Sequence, residues 1–135
     1  MSTGTSLRGR ARPWSVLLLV LGLLGGSVIG VRAEPPDGEK IRFDLTALDA
    51  AGLHGPPDGL RALDYEFCIP ERPYTIAQVQ SIDASVRMLK SRGRIGCSAD
   101  ELLCIGNTHQ PGYRDVLAAL SRLPYVARID QAFFE

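Results

Sequence analysis

The chain is poor in the residues and motifs that carry catalytic or metal chemistry. It has two histidines and three cysteines among 135 residues, and it contains no Cys-x-x-Cys pair. It lacks Gly-x-Ser-x-Gly, His-Glu-x-x-His and the glycine-rich phosphate-binding loops. It also has no internal repeat and no low-complexity segment. These absences argue against the enzyme classes that such motifs mark, and we expect no cofactor and no bound metal.

Residues 1–33 have the three parts of a secretory signal peptide. Arginines at positions 8, 10 and 12 precede an apolar run over residues 16–30, and Val31 and Ala33 stand at the −3 and −1 positions of a cleavage site. The run is shorter than the ~20 residues that span a bilayer and contains four glycines, which favours cleavage over a membrane anchor. We therefore expect a secreted or periplasmic chain that begins at Glu34 and has no membrane attachment.

The net charge of zero conceals an acidic exported chain. Cleavage after residue 33 removes four arginines and no acidic residue, which leaves 11 basic against 15 acidic residues and a net charge of −4. Nucleic-acid-binding domains need a basic surface, so we expect no nucleic-acid partner. The local exception is a run of four basic residues without an acid, Arg87, Lys90, Arg92 and Arg94. Such a run is either a solvated face or an attractor of anions.

The order of strand and helix patterns predicts a ferredoxin-like fold. Period-two alternation marks strands, and apolar stripes at helical spacing mark helices. The predicted order is strand 60–70, helix 75–86, strand 87–97, strand 101–107, helix 111–123 and strand 125–134. Each helix has one apolar stripe and each good strand one apolar face, so a two-layer βαββαβ sandwich buries them all. We predict an α+β domain over residues 60–135, with both helices on one face of a four-stranded antiparallel sheet.

The boundaries of these elements carry their own signals. Residues 34–59 are rich in proline and glycine and predict an irregular N-terminal arm, with an edge strand at residues 41–48. Thr75 and Gln78 have the spacing of a capping box at the start of the first helix. One of the polar residues at 107–110 is expected to cap the second helix, which follows Pro111.

Three cysteines in an exported chain predict one disulfide and one free thiol. Cys97 and Cys104 flank a tight turn, which predicts a bridge between them. The alternative is a bridge between Cys68 and Cys104, because both alternate to the polar, open face of neighbouring strands. A third alternative leaves all three thiols free.

Candidate ligand-binding residues fall between positions 91 and 110. Arg92 and Arg94 flank Gly93, and the planar guanidinium group suits carboxylate or phosphate. Their alternation predicts that both point to the side of the sheet without helices. His109 and Gln110 lie in the turn before the second helix and join this site only if the hairpin is short or twisted.

The competing interpretation makes each of these residues structural. Arg92 and Arg94 would then pair with Asp64 or Glu66, two carboxylates interpreted as surface residues. The segment around His109 would be the polar turn that leads into the second helix.

Together these patterns predict a small exported binding or interaction domain. Its expected ligand is an anionic group or a protein partner, held at the open face of the sheet. The rival hypothesis is a small secreted hydrolase or thiol enzyme that uses His109 with Cys97 or Cys68 as nucleophile. The lack of a recognisable catalytic set favours the binding hypothesis.

Overall fold

The computed structural model describes residue 4 and residues 39–134. The predicted signal peptide, apart from residue 4, and the first five residues of the expected exported chain lie outside this part. Among the described residues, no helix is long and apolar enough to cross a membrane.

Two helices and a four-stranded antiparallel sheet form the centre of the domain. In chain order the elements are a 3-10 helix (Leu45–Ala47), β1 (Leu53–His54), β2 (Arg61–Ala62), β3 (Asp64–Pro70), α1 (Pro73–Ile82), β4 (Arg87–Leu89), β5 (Glu101–Asn107), α2 (Tyr113–Ser121) and β6 (Asp130–Gln131). The sheet has the order β4-β5-β3-β6, and every neighbouring pair is antiparallel. β3 and β4 are therefore parallel to each other with β5 between them, which is the split βαβ arrangement. The predicted α+β class and ferredoxin-like arrangement are confirmed, with an additional two-stranded sheet of β1 and β2.

The helices cover one face of this sheet with a single hydrophobic core. Tyr65, Phe67 and Ile69 on β3 are fully buried and belong to the same core cluster as Leu117 and Leu120 of α2. Opposite Tyr65, β5 carries Gly106, where a Cβ atom would lie 2.4 Å from the tyrosine ring. The large ring and the missing side chain thus fit together as one cross-strand pair.

The edge strands are shorter than the sequence pattern predicts. The second strand was expected over residues 87–97 and ends at Leu89, because Gly93 and Gly96 adopt positive φ angles of 60° and 84° and turn the chain. The last strand was expected over residues 125–134 and is limited to Asp130–Gln131. Positive φ angles favour glycine and are incompatible with a strand, so residues 93–96 form a turn instead of continuing the strand.

Both predicted helix caps are wrong. α1 begins at Pro73 after Arg72, which makes no side-chain cap, and Thr75 lies inside the helix and donates its hydroxyl to the Pro70 carbonyl. α2 begins after Gly112, whose φ of 66° makes it a left-handed residue without a side-chain cap. The first helix begins three residues before the position expected from Thr75, and the N-cap of the second lies two residues beyond Gln110, so the expected polar caps are not at the helix starts.

The described part of the N-terminal arm packs against the domain. Ile41 forms a parallel bridge with Ile129, which is what remains of the edge strand expected at residues 41–48. The Thr108 hydroxyl donates to the Gly52 carbonyl at 2.6 Å and accepts from the Leu63 amide at 2.9 Å. A Cβ atom at Gly52 would lie 1.9 Å from the Thr108 carbonyl oxygen, so this close approach requires glycine.

Truncation of Leu120 tests the core. Leu120 is fully buried, so Leu120→Ala should lower the free energy of unfolding by about 2–5 kcal/mol in urea melts. Leu60 is 46% exposed, and Leu60→Ala should change it by less than about 0.5 kcal/mol. Equal losses for the two variants would contradict the helix packing described above.

Candidate functional site

The loop between β4 and β5, residues 90–100, covers part of the sheet face that has no helices. Cys97, Leu103 and Ile105 form a second hydrophobic cluster there, joined by the partly buried Cys68 and Ile95. β5 is apolar on both of its faces, and such a strand needs cover on both sides. The face that the sequence predicts to be open is therefore partly occupied by the β4–β5 loop.

A disulfide between Cys68 and Cys97 ties this loop to β3, with an S–S distance of 2.07 Å and a Cα–Cα distance of 5.5 Å. The predicted Cys97–Cys104 bridge is wrong, and so is the alternative Cys68–Cys104 bridge. Cys104 is free and fully buried in the core on the helix side, opposite Phe67. The prediction assumed that Leu103 and Ile105 face the helices and that Cys104 faces the open side. In the structure Cys104 faces the helices and Leu103 faces the loop, so the assumed alternation of β5 is reversed.

Hydrogen bonds fix the backbone of the loop at Ile95. Its amide donates to Glu66 Oε1 at 3.0 Å, and its carbonyl accepts from Arg128 Nη2 at 2.7 Å. Within the loop, the amides of residues 96 and 97 both donate to the Arg92 carbonyl, at 3.1 and 2.7 Å. Gly93 lies so close to the sheet that a Cβ atom would be 2.8 Å from Leu103 Cδ1. The loop is thus held by backbone contacts as well as by the disulfide.

Glu66 is buried beneath the loop and is 6% exposed, so its interpretation as a surface carboxylate is wrong. Burial is the main cause of a raised pKa of Glu66, and the negative charge of Asp130 raises this pKa further. The hydrogen bond from the Ile95 amide and the positive charges of Arg94 and Arg128 lower it in part. Asp130 lies opposite Glu66 on the neighbouring strand β6. Its Oδ2 accepts a hydrogen bond from Arg128 Nε at 3.0 Å, and its Oδ1 is buried without a hydrogen-bond partner in the described part of the chain.

Across residues 39–134, no group of three or more histidine, cysteine or acidic side chains is arranged to hold a metal ion.

Two exposed arginines, one on β4 and one on the β4–β5 loop, have no side-chain partner among the described residues. Arg87 on β4 and Arg92 make neither a hydrogen bond nor an ion pair through their side chains with any residue of the described part. Arg92 lines a pocket of about 270 Å³ whose other walls are Lys90, Ser91, Ser98, Ala99 and Glu101. Lys90 is already engaged, because it forms an ion pair with Glu71 and donates to the Ala99 carbonyl at 2.9 Å. Of the two cations in this pocket, Lys90 is already paired, and Arg92 has no partner among the described residues and could pair with an anionic ligand.

His109 and Gln110 lie at the other end of β5, in the turn before α2. β5 runs from Glu101 to Asn107, which separates this turn from the β4–β5 loop by roughly 20 Å. His109 is exposed, and its Nδ1 lies 3.0 Å from the Ala51 carbonyl oxygen. With residues 50, 51 and 111, these two residues line a separate pocket of about 360 Å³. The structure does not assemble the four predicted ligand-binding residues into one site.

Gln110 belongs to a buried polar network that the sequence pattern does not predict. Its Nε2 lies within 3.1 Å of Asp83 Oδ1, the Ser85 hydroxyl, the Tyr65 hydroxyl and the Asn107 carbonyl. Asp83 is fully buried and accepts from the Tyr65 hydroxyl at 2.5 Å and from the Ser85 amide at 2.9 Å. The network joins the end of α1 to β3 and β5. Its only sequence signal is an acidic residue placed where the apolar stripe of α1 ends.

The free cysteine is poorly suited to nucleophilic chemistry. Burial, with a smaller contribution from the charge of Asp83, raises the pKa of the Cys104 thiol to about 12. The thiolate is the reactive form, so Cys104 remains an unreactive thiol at neutral pH. Cys68 and Cys97 are consumed by the disulfide.

Removal of the disulfide tests its contribution to stability. The cysteines are 29 positions apart, so the double variant Cys68→Ala/Cys97→Ala should lose about 3–4 kcal/mol of unfolding free energy on the chain-entropy model. A reductant should destabilise the wild-type protein by a similar amount and leave the double variant unchanged. In a non-reducing digest cut at Glu101, which separates Cys97 from Cys104, a cross-linked peptide that contains Cys104 would contradict the pairing.

Substitution of Glu66 tests the buried carboxylate. Its raised folded pKa lies above the reference value of 4.5, so its favourable contribution is fully present below pH 4.5 and is lost as pH rises through the folded pKa. Glu66→Gln keeps an oxygen that accepts from Ile95 and removes the charge. The stability of Glu66→Gln relative to wild type should therefore increase as pH rises from 4 to 7. The exposed Glu39→Gln serves as control, and a decrease for Glu66→Gln over this range would refute the assignment.

Comparison with known proteins gives no information about function. No family model, no curated protein and no solved structure matches this chain. We therefore infer function from the β4–β5 loop with its Arg92 and from Arg87 on the neighbouring β4.

Proposed function

We propose that this chain is an exported binding domain that holds an anionic group of a protein partner at the β4–β5 loop. The observation that carries this proposal is Arg92, an exposed arginine without a partner in the described part of the chain, on a loop that is fixed to the sheet. An arginine side chain offers a carboxylate two parallel hydrogen bonds. Arg92 does not have to leave an ion pair with any residue of 39–134 for this contact to form.

Rigidity of the loop supports a binding role. The disulfide at Cys97 and the two backbone hydrogen bonds at Ile95 order the loop before any ligand arrives. Ordering a flexible loop at the moment of binding costs free energy, and a loop that is already ordered avoids this cost. The β4–β5 loop can therefore present Arg92 to a partner with little loss of affinity.

A carboxylate on a protein partner fits this surface better than a small free anion. Glu101 lines the same pocket and accepts from the Ser98 amide and hydroxyl, so a bare anion would meet one unpaired cation and a nearby negative charge. A protein segment adds apolar contacts to the single ion pair. Leu89, which is 45% exposed, is available for such contacts next to the loop.

The secreted or periplasmic location is part of the same proposal. Its support is the signal-peptide pattern of residues 1–33 together with the disulfide, since disulfides persist mainly in oxidising compartments. The rival thiol-enzyme hypothesis has no comparable support. Both of its candidate nucleophiles, Cys68 and Cys97, are bridged, and Cys104 is buried.

Arg92→Ala tests the proposed function. A glutamate-rich peptide titrated into the labelled exported protein should shift amide resonances of residues 90–100 in two-dimensional NMR spectra. Arg92→Ala should weaken this binding by about 1.5–3 kcal/mol, the range for hydrogen bonds to charged groups. Arg61→Ala, an exposed arginine on β2, is the matched control and should leave the affinity unchanged. If the peptide does not shift these resonances, the proposal fails.

A further inference from the structure

We infer that the acidic segment of the partner binds in an extended conformation, as an additional strand along the free edge of β4. This inference rests on the proposed function, because it names how the partner of the same surface docks. Two observations carry it: the uncovered edge of β4, and Arg87 and Arg92, which have no side-chain partner among residues 39–134.

β4 lies at the edge of the sheet and pairs with β5 alone. Among residues 39–134, no backbone hydrogen bond from outside the sheet reaches Arg87, Met88 or Leu89. An antiparallel strand directs its backbone donors and acceptors to both sides in turn, so one side of β4 presents unpaired groups. Such an edge accepts an extended peptide by main-chain hydrogen bonding.

The side chains of β4 define what the added strand should look like. Arg87 and Leu89 lie opposite Ile105 and Leu103, on the face without helices, while Met88 lies opposite Cys104 on the helix side. Residues of an added strand would stand beside these side chains on the same two faces. Acidic residues on the face of Arg87 alternating with apolar residues on the face of Met88 would therefore match both.

The charges also choose between an acidic partner and a second copy of this chain. Edge-to-edge pairing of two β4 strands would bring the cationic side chains of Arg87, Lys90 and Arg92 from both copies to one interface, and like charges opposed across strands are destabilising. Charged side chains on a short edge strand are a common protection against such self-pairing. The same charges favour an incoming strand that carries carboxylates.

Backbone methylation of a peptide separates strand addition from attraction between charges. The probe is a peptide of about six residues, alternating glutamate and valine, the length of a typical strand. A second peptide is N-methylated at every other residue, which removes the donors of one edge and leaves those of the other. A third is N-methylated at every residue and has the same charge and side chains but no backbone donor. All three are titrated into the exported protein by NMR.

Strand addition predicts that the second peptide binds within about threefold of the first, because it docks through its intact edge. The third should bind at least about tenfold more weakly, a loss equivalent to about 1.4 kcal/mol. Amide shifts should include residues 87–89 as well as the loop. Arg87→Ala should weaken binding severalfold, because Arg87 lies on the face that carries the glutamates, whereas Arg61→Ala, at an exposed arginine on β2, should not.

The outcomes separate this inference from the proposed function. Equal binding of all three peptides, with Arg92→Ala still weakening it, would retain the proposed function and overturn strand addition. Shifts at residues 87–89 that depend on backbone methylation but are unaffected by Arg92→Ala would support docking at the edge and remove the role proposed for the loop. Absence of binding by the unmodified peptide would overturn both.

Discussion

Burial of β5 on both faces is the constraint on which the rest of the domain depends. Cys104 and Gly106 point to the helices, and Leu103 and Ile105 point to the opposite side. A sheet with helices on one face ordinarily leaves its other face to water. Leaving two large aliphatic side chains exposed there would forgo about 1.5–3 kcal/mol each. The β4–β5 loop supplies the missing cover, and this explains why a long connection joins two neighbouring strands.

The cover has to be held in place, because a loop without regular structure has few backbone hydrogen bonds of its own. The chain solves this with one covalent link, from Cys97 to Cys68, and with a polar contact on each side of the Ile95 peptide unit. One of these contacts is made by a buried carboxylate, Glu66, whose raised pKa reflects the cost of burying its charge. Arg92, which lies on this loop, is thereby held on a rigid support.

The two ends of β5 differ in how far their polar side chains are engaged in hydrogen bonds within the fold. At the Asn107 end, polar side chains that resemble a ligand site in the sequence are engaged in the fold: Gln110 contacts Asp83 and Tyr65, and Thr108 holds the N-terminal arm. At the Glu101 end, the Arg92 side chain has no partner among residues 39–134. A polar side chain that already has its hydrogen bonds gains little from a ligand, and this is why we propose the binding surface at the Glu101 end.

The sequence by itself determined the fold class, since two helical stripes and three well-marked strands have few ways to bury their apolar faces. It also singled out Arg92, because a basic run without acids is visible without coordinates. It did not determine the disulfide, the burial of Glu66 or the separation of His109 from Arg92. Alternation reports that successive side chains point to opposite faces, but not which face of a strand that is apolar on both sides meets the helices. Only the tertiary structure decided that phase, and with it which cysteine joined Cys97, which carboxylate lay beneath the loop and which polar residues were left free to bind.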